Sequence, residues 1–144
     1  MINSERTVVV SPLAPKAVGP YSQAIKVGNM IFCSGQIPLH PETGDVVGTD
    51  VATQTEQVLR NLDAVLRVVD SGLYQVAKTT VYLTNLDDFA EMNAVYGKYF
   101  QVDPPARATV EVSRLPKAVL VEIDCIAIVP ERASSGGPKI GPGI

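Results

Sequence analysis

Apolar positions recur along this chain with two different periods, and each period predicts a class of element. Val51, Thr55, Val58, Leu62, Val65 and Val69 are spaced alternately by four and three residues, which aligns them on one stripe of a helix. Thr49 or Asp50 can cap its start, and Ser71-Gly72 can stop it. A second stripe, Phe89, Met92, Asn93, Tyr96 and Phe100, predicts another helix, capped by Asn85 or Asp87 and broken at Asp103-Pro104-Pro105. Elsewhere the period is two. Residues 7–11 read as a short strand, and residues 22–27 and 30–34 as a hairpin about Gly28-Asn29. The β-branched and aromatic run 76–84 is a further strand, and residues 107–112 and 119–128 close the domain as two more. Residues 12–20 hold three prolines and form a loop; Pro38, Pro41 and Gly44 mark another.

The resulting order, β-β-β-α-β-α-β-β, predicts an α+β domain: a six-stranded mixed sheet with two helices on one face. The last strand is apolar on both sides, with Val121, Ile123 and Cys125 facing one way and Leu120, Ile126 and Ile128 the other. A sheet with two apolar faces and helices for only one of them calls for a partner subunit. The expected domain is residues 1–129. From 130 to 144 the composition turns to Ser, Gly and Pro, and this tail is expected to be disordered.

Composition narrows the function classes. A net charge of −3 and the lack of a basic stripe with interleaved aromatics argue against nucleic acid as partner. No apolar run approaches the length of a membrane span, and residues 1–6 carry no signal-peptide core, so no membrane partner and a cytoplasmic location are expected. Cys33 and Cys125 fall in strands without CxxC spacing and read as buried, reduced thiols. His40 is the single histidine, which argues against a zinc site or a Ser-His-Asp triad.

Candidate chemistry lies where charge interrupts the closing strands. Arg107, Thr109 and Glu111 share one face of the first, and Glu122 and Asp124 share a face of the second. The planar fork of Arg107 suits a carboxylate ligand, or an ion pair with Glu111, Glu122 or Asp124. Glu122 sits in Val-Leu-Val-Glu-Ile, where desolvation would raise its pKa and improve it as a proton acceptor unless a salt bridge holds it. A direct hairpin between these strands would set Thr109 opposite Glu122 and Arg107 opposite Asp124; a third strand between them would not. Tyr21 follows the stiff Gly19-Pro20, and Ser34-Gly35 ends a strand with a hydroxyl and a close-approach glycine. Asn93 sits on an apolar helix stripe, where its amide needs a partner, either a ligand or a helix-to-loop bond.

Taken together, Gly19-Pro20-Tyr21-Ser22-Gln23-Ala24, Ser34-Gly35-Gln36-Ile37-Pro38, Lys78-Thr79-Thr80-Val81-Tyr82-Leu83, Asp88-Phe89 with Asn93, Pro105-Ala106-Arg107, and Leu115-Pro116-Lys117 with Val121-Glu122-Ile123 resemble the RidA (YjgF) family of reactive intermediate/imine deaminases, over roughly residues 7–129. The resemblance implies a chorismate-mutase-like fold and a homotrimer with ligand sites in the clefts between subunits. It implies hydrolysis of 2-imino acids such as 2-iminobutanoate and 2-iminopropanoate, or their enamines, to 2-keto acids and ammonia, with no metal or organic cofactor. Arg107 would clamp the substrate carboxylate and Glu122 would activate the water. Tyr21, Ser34 and Asn93 would line the pocket, Tyr21 with a catalytic hydroxyl, and Thr109 would contribute chiefly through its main chain. Thr109 stands where the best-known bacterial members often carry cysteine, and residues 72–78 make a shorter corner than is usual in the family. The alternative is a non-catalytic module of the same fold that binds small carboxylates or another protein.

Overall fold

The first helix, α1 (Val51–Arg67), starts where the Asp50 side chain accepts a hydrogen bond from the Thr53 amide at 2.9 Å. Its stripe is fully buried at Val58, Leu62 and Val65, with Leu59 and Leu66 beside them. The stop comes earlier than Gly72, whose backbone is extended. Asp70 takes the left-handed conformation at φ 60, and the Ser71 amide closes the turn on the Leu66 carbonyl at 3.1 Å. Val69 lies past the helical residues yet still packs on the core. The computed structural model describes residues 5–130; Pro130 apart, the Ser/Gly/Pro tail lies outside them.

Six strands accompany the helices: β1 (Arg6–Val9), β2 (Ala24–Val27), β3 (Met30–Gln36), β4 (Val76–Leu83), β5 (Ala106–Glu111) and β6 (Val121–Ile128). The second helix, α2 (Phe89–Tyr99), follows a 3-10 turn over Leu86–Asp88. Asn85 caps that turn, accepting from the Asp87 amide at 2.9 Å, rather than the helix proper. The short corner after α1 is a single 3-10 turn, Leu73–Gln75, tied down where the Leu73 amide donates to Asp63 Oδ1 at 3.0 Å.

The sheet order is β1-β2-β3-β6-β4-β5, with only β4 and β5 parallel. A parallel pair needs a crossover, and α2 supplies it. The last strand does not return beside β5. It inserts between β3 and β4, so the direct hairpin is absent and Arg107 lies opposite Thr79, while Glu122 and Asp124 face Tyr82 and Thr80. Both helices cover one face, burying Val9, Ile31, Val81, Leu83, Val121 and Ile123 against α1 and against Met92 and Tyr96 of α2. The other face is open and carries exposed Val8, Met30, Phe32, Val110 and Ile128. Cys33 and Cys125 are free thiols in register on the covered face; their mutual hydrogen bond and burial push the Cys125 thiol up. Among the described residues no helix is long and apolar enough to cross a membrane.

Candidate functional site

Arg107 leaves the rigid Pro104-Pro105 segment on β5, an edge strand, and turns toward α2. Its Nη1 donates to Asn93 Oδ1 at 2.7 Å, and its guanidinium carbon lies 4.7 Å from the Tyr96 ring centre and 5.4 Å from that of Phe89. Positions 89, 93 and 96 share one helical face, so about two turns of α2 form the cradle. Tyr96 is itself fixed by a 2.7 Å hydrogen bond with Thr79 Oγ1, and burial pushes its phenol up. Arg107 forms no ion pair with Glu111, Glu122 or Asp124; the salt bridges among the described residues are Arg60–Glu56 and Arg67–Asp63. Glu111 instead accepts from the Leu86 amide at 2.9 Å. A guanidinium has five donors, so one bond to Asn93 leaves the fork available to an anion. Two residues along the same face, Thr109 holds a buried hydroxyl with no hydrogen-bond partner among the described residues.

A second cluster forms on the open face. Tyr21, Ser34, Gly35 and Glu122 line a cavity of about 610 Å³ together with Lys16 and Lys117. Ser34 and Gly35 fall in the irregular stretch of β3 between Cys33 and Gln36, where pairing with β6 slips. The Glu122 carboxylate occupies the space that a side chain at position 35 would need, so only glycine lets it lie against the strand. Burial, and after it the neighbouring Asp124 carboxylate, pushes Glu122 above the usual carboxylate range. Asp124 in turn accepts from the Tyr82 hydroxyl at 2.9 Å.

The walls of this cavity are loops held by buried amides. Gln23 accepts from the Ser11 amide at 2.6 Å and donates to the carbonyls of Pro15 at 2.7 Å and Ser11 at 3.2 Å, which fixes the proline loop carrying Lys16 and Tyr21. Ser34 Oγ donates to the Ser22 carbonyl at 2.5 Å, so its lone pairs remain for a ligand. Asn61 of α1 donates to the carbonyls of Ile37 at 3.3 Å and Leu39 at 3.0 Å, and Lys117 Nζ to the Gly44 carbonyl at 3.2 Å.

Within one chain the structure therefore makes two groups of the residues that the sequence singles out. Tyr21, Ser34 and Glu122 meet on the open face, while Asn93, Arg107 and Thr109 meet at the β5 edge on the helix side. Asn93 serves Arg107 rather than a loop carbonyl. Phe89 and Tyr96, read from sequence only as core, prove to be the cradle of the guanidinium, and Lys16 and Lys117 enter as cavity residues. A charged residue facing an aromatic helix stripe was the available signal for the former; the latter needed the tertiary fold. His40 Nδ1 accepts from the Glu42 and Thr43 amides at 3.2 and 3.4 Å and so organises its own loop. No cluster of potential metal ligands occurs among the described residues.

Residues 11–129 match the model of a family described as Endoribonuclease L-PSP. A RutC family protein of Pyrococcus abyssi is 54% identical over 122 residues, covering 85% of this chain and 96% of the relative. Among solved structures, the Rid family protein YyfA of Yersinia pestis superposes with a TM-score of 0.84 at 47% identity, over 87% of this chain and 100% of the other. Escherichia coli TdcF, solved with bound serine, gives a TM-score of 0.81 at 40% identity over 85% and 98% of the two chains.

Proposed function

Because the chain belongs to the RidA/YjgF (L-PSP) family, we propose that it hydrolyses reactive 2-imino acids, 2-iminobutanoate and 2-iminopropanoate among them, to 2-keto acids and ammonia. The observation that carries this reading is the Arg107 guanidinium, cradled by Asn93, Tyr96 and Phe89 and paired with no carboxylate among the described residues. A charge held in this way is built for an anion supplied from outside. The opposite locations of Arg107 and Glu122 support a site assembled between copies, in which Arg107 of one chain enters the Glu122 cavity of its neighbour in a homotrimer. The open apolar face of the sheet supplies a surface for that assembly.

In this site Arg107 holds the substrate carboxylate and so orients the C=N carbon. Glu122, ionised yet reluctant to stay so, takes a proton from water as the oxygen adds to that carbon. Glu122 then passes that proton to the nitrogen of the resulting amino alcohol and takes up the hydroxyl proton as ammonia leaves, the C–N bond breaking as the C=O bond forms. Tyr21 donates a phenol hydrogen bond to the reacting group from the cavity mouth, and the Ser34 lone pairs and the free Thr109 hydroxyl accept or bridge. A nuclease reading, which the family description invites, finds no catalytic base in His40, whose Nδ1 is held by its own loop.

The test is the loss of 2-aminocrotonate generated in situ by a threonine dehydratase. The protein should accelerate it, and Arg107→Ala should reduce that acceleration by at least about a hundredfold. Stabilisation by 2-ketobutyrate without turnover in the unmodified protein would identify a carboxylate-binding module instead.

A further inference from the structure

The cavity is large for the imines named above. At about 610 Å³ in the single chain it lies within the range that holds drug-sized ligands, more than a four-carbon substrate needs. Its surface is divided by chemistry. Val18, Ile37, Leu39 and Pro116 bring apolar surface to its lining, while Lys16, Lys117 and Glu122 bring charge. Lys117 uses one of its three ammonium donors on the Gly44 carbonyl. Lys16 is exposed and makes no hydrogen bond or ion pair with another described residue.

Two ammonium groups therefore share the cavity with one carboxylate. The proposed chemistry needs Glu122 free to take a proton, and an ion pair with either lysine would hold it in the ionised, weakly basic form. A substrate whose own α-carboxylate is taken by Arg107 and whose side chain is uncharged leaves that excess of positive charge without a carboxylate partner. A second carboxylate at the far end of the side chain would neutralise it, with the intervening methylenes lying against the apolar part of the lining. Lysine suits this task, since an ammonium attracts a carboxylate as a point charge without demanding one orientation.

We propose that this cavity takes 2-imino acids bearing a distal carboxylate, with Lys16 as the selecting group and Lys117 beside it. The proposal rests on the imine-hydrolysis reading and names its substrate class. Imines of glutamate and of norvaline, made in situ by amino-acid oxidases with catalase present and followed by semicarbazide trapping, test it. The pair matches in chain length and differs in the terminal carboxylate. The glutamate imine should be favoured in kcat/KM by about fivefold at low salt, a ratio that shrinks as salt rises. Lys16→Ala should bring the ratio close to one, and Lys16→Glu should invert it. Thermal stabilisation by 2-oxoglutarate against 2-oxopentanoate repeats the comparison without turnover. Equal ratios in the unmodified protein and Lys16→Ala, in both assays, would overturn the proposal while neutral-imine turnover kept the deaminase reading. A Lys16-dependent preference for 2-oxoglutarate with no turnover of any imine would do the reverse, leaving the dicarboxylate site standing and removing the hydrolase.

Discussion

Glu122 shows at the scale of one residue how a fold can tune a carboxylate. Its carboxylate lies against Gly35, half-buried, with Asp124 two residues away on the same strand face and Tyr82 opposite it on β4. Lys16, Lys117 and Tyr21 line the same cavity. Burial is the larger cause of its raised pKa and Asp124 the smaller. The sign for activity follows directly. A base works only when ionised, so kcat/KM should fall as pH drops through the raised pKa, at a pH above that of an ordinary glutamate. Asp124→Asn removes the like charge and should move this acid limb to lower pH, as a rate profile on a single imine would record. An unmoved limb would mean that Asp124 acts only through its bond to Tyr82. Gly35→Ala tests the same carboxylate by displacement. The added methyl takes the space of the Glu122 head, so turnover should drop by about tenfold to a hundredfold. The midpoint of urea unfolding should change far less than for a core truncation.

At the scale of elements, side chains that look like surface residues hold the loops that line the cavity. Gln23 satisfies the Ser11 amide and the Ser11 and Pro15 carbonyls, all in a loop whose prolines prevent it from pairing with itself. Gln23→Ala would leave those groups buried without partners and should cost about 3 kcal/mol in urea unfolding. It should also raise KM, because the loop carries Lys16 and Tyr21. Asn61 does the same for Ile37 and Leu39. These roles were not legible in the sequence. A helix period identifies the apolar stripe of α1 and assigns Gln54 and Asn61 to the polar remainder, although both are buried. The elements themselves were legible, since all six strands and both helices follow from alternation and stripe spacing. Strand order was not. Alternation tells which face a residue takes but not which strand lies beside it, so the insertion of β6 between β3 and β4 and the separation of Arg107 from Glu122 appear only in three dimensions. The helix stop shifted for a local reason, with Asp70 accepting the left-handed turn that Gly72 seemed better suited to make.

At the scale of the molecule, the arrangement of half-sites makes assembly a matter of mechanism. The open face brings Val8, Met30, Phe32 and Ile128 into one apolar area beside the Glu122 cavity, while Arg107 looks out from the opposite side at the β5 edge. On the proposed reading such a chain would offer a base to one neighbour and a clamp to another, the head-to-tail relation that closes into a ring. Phe32→Glu on the open face should therefore yield smaller species in sedimentation and lose turnover in proportion, although Phe32 touches neither half-site. Mixing makes a sharper test. Arg107→Ala and Glu122→Gln should each be inactive alone. Unfolded together in equal amounts and refolded, they assemble at random, and a site is complete only where the chain giving the cavity keeps Glu122 and its neighbour keeps Arg107. Each condition holds for half the chains, so about one quarter of the unmodified activity should return. If both residues served a site within one chain, no mixture would recover anything, because every chain in it lacks one of the two.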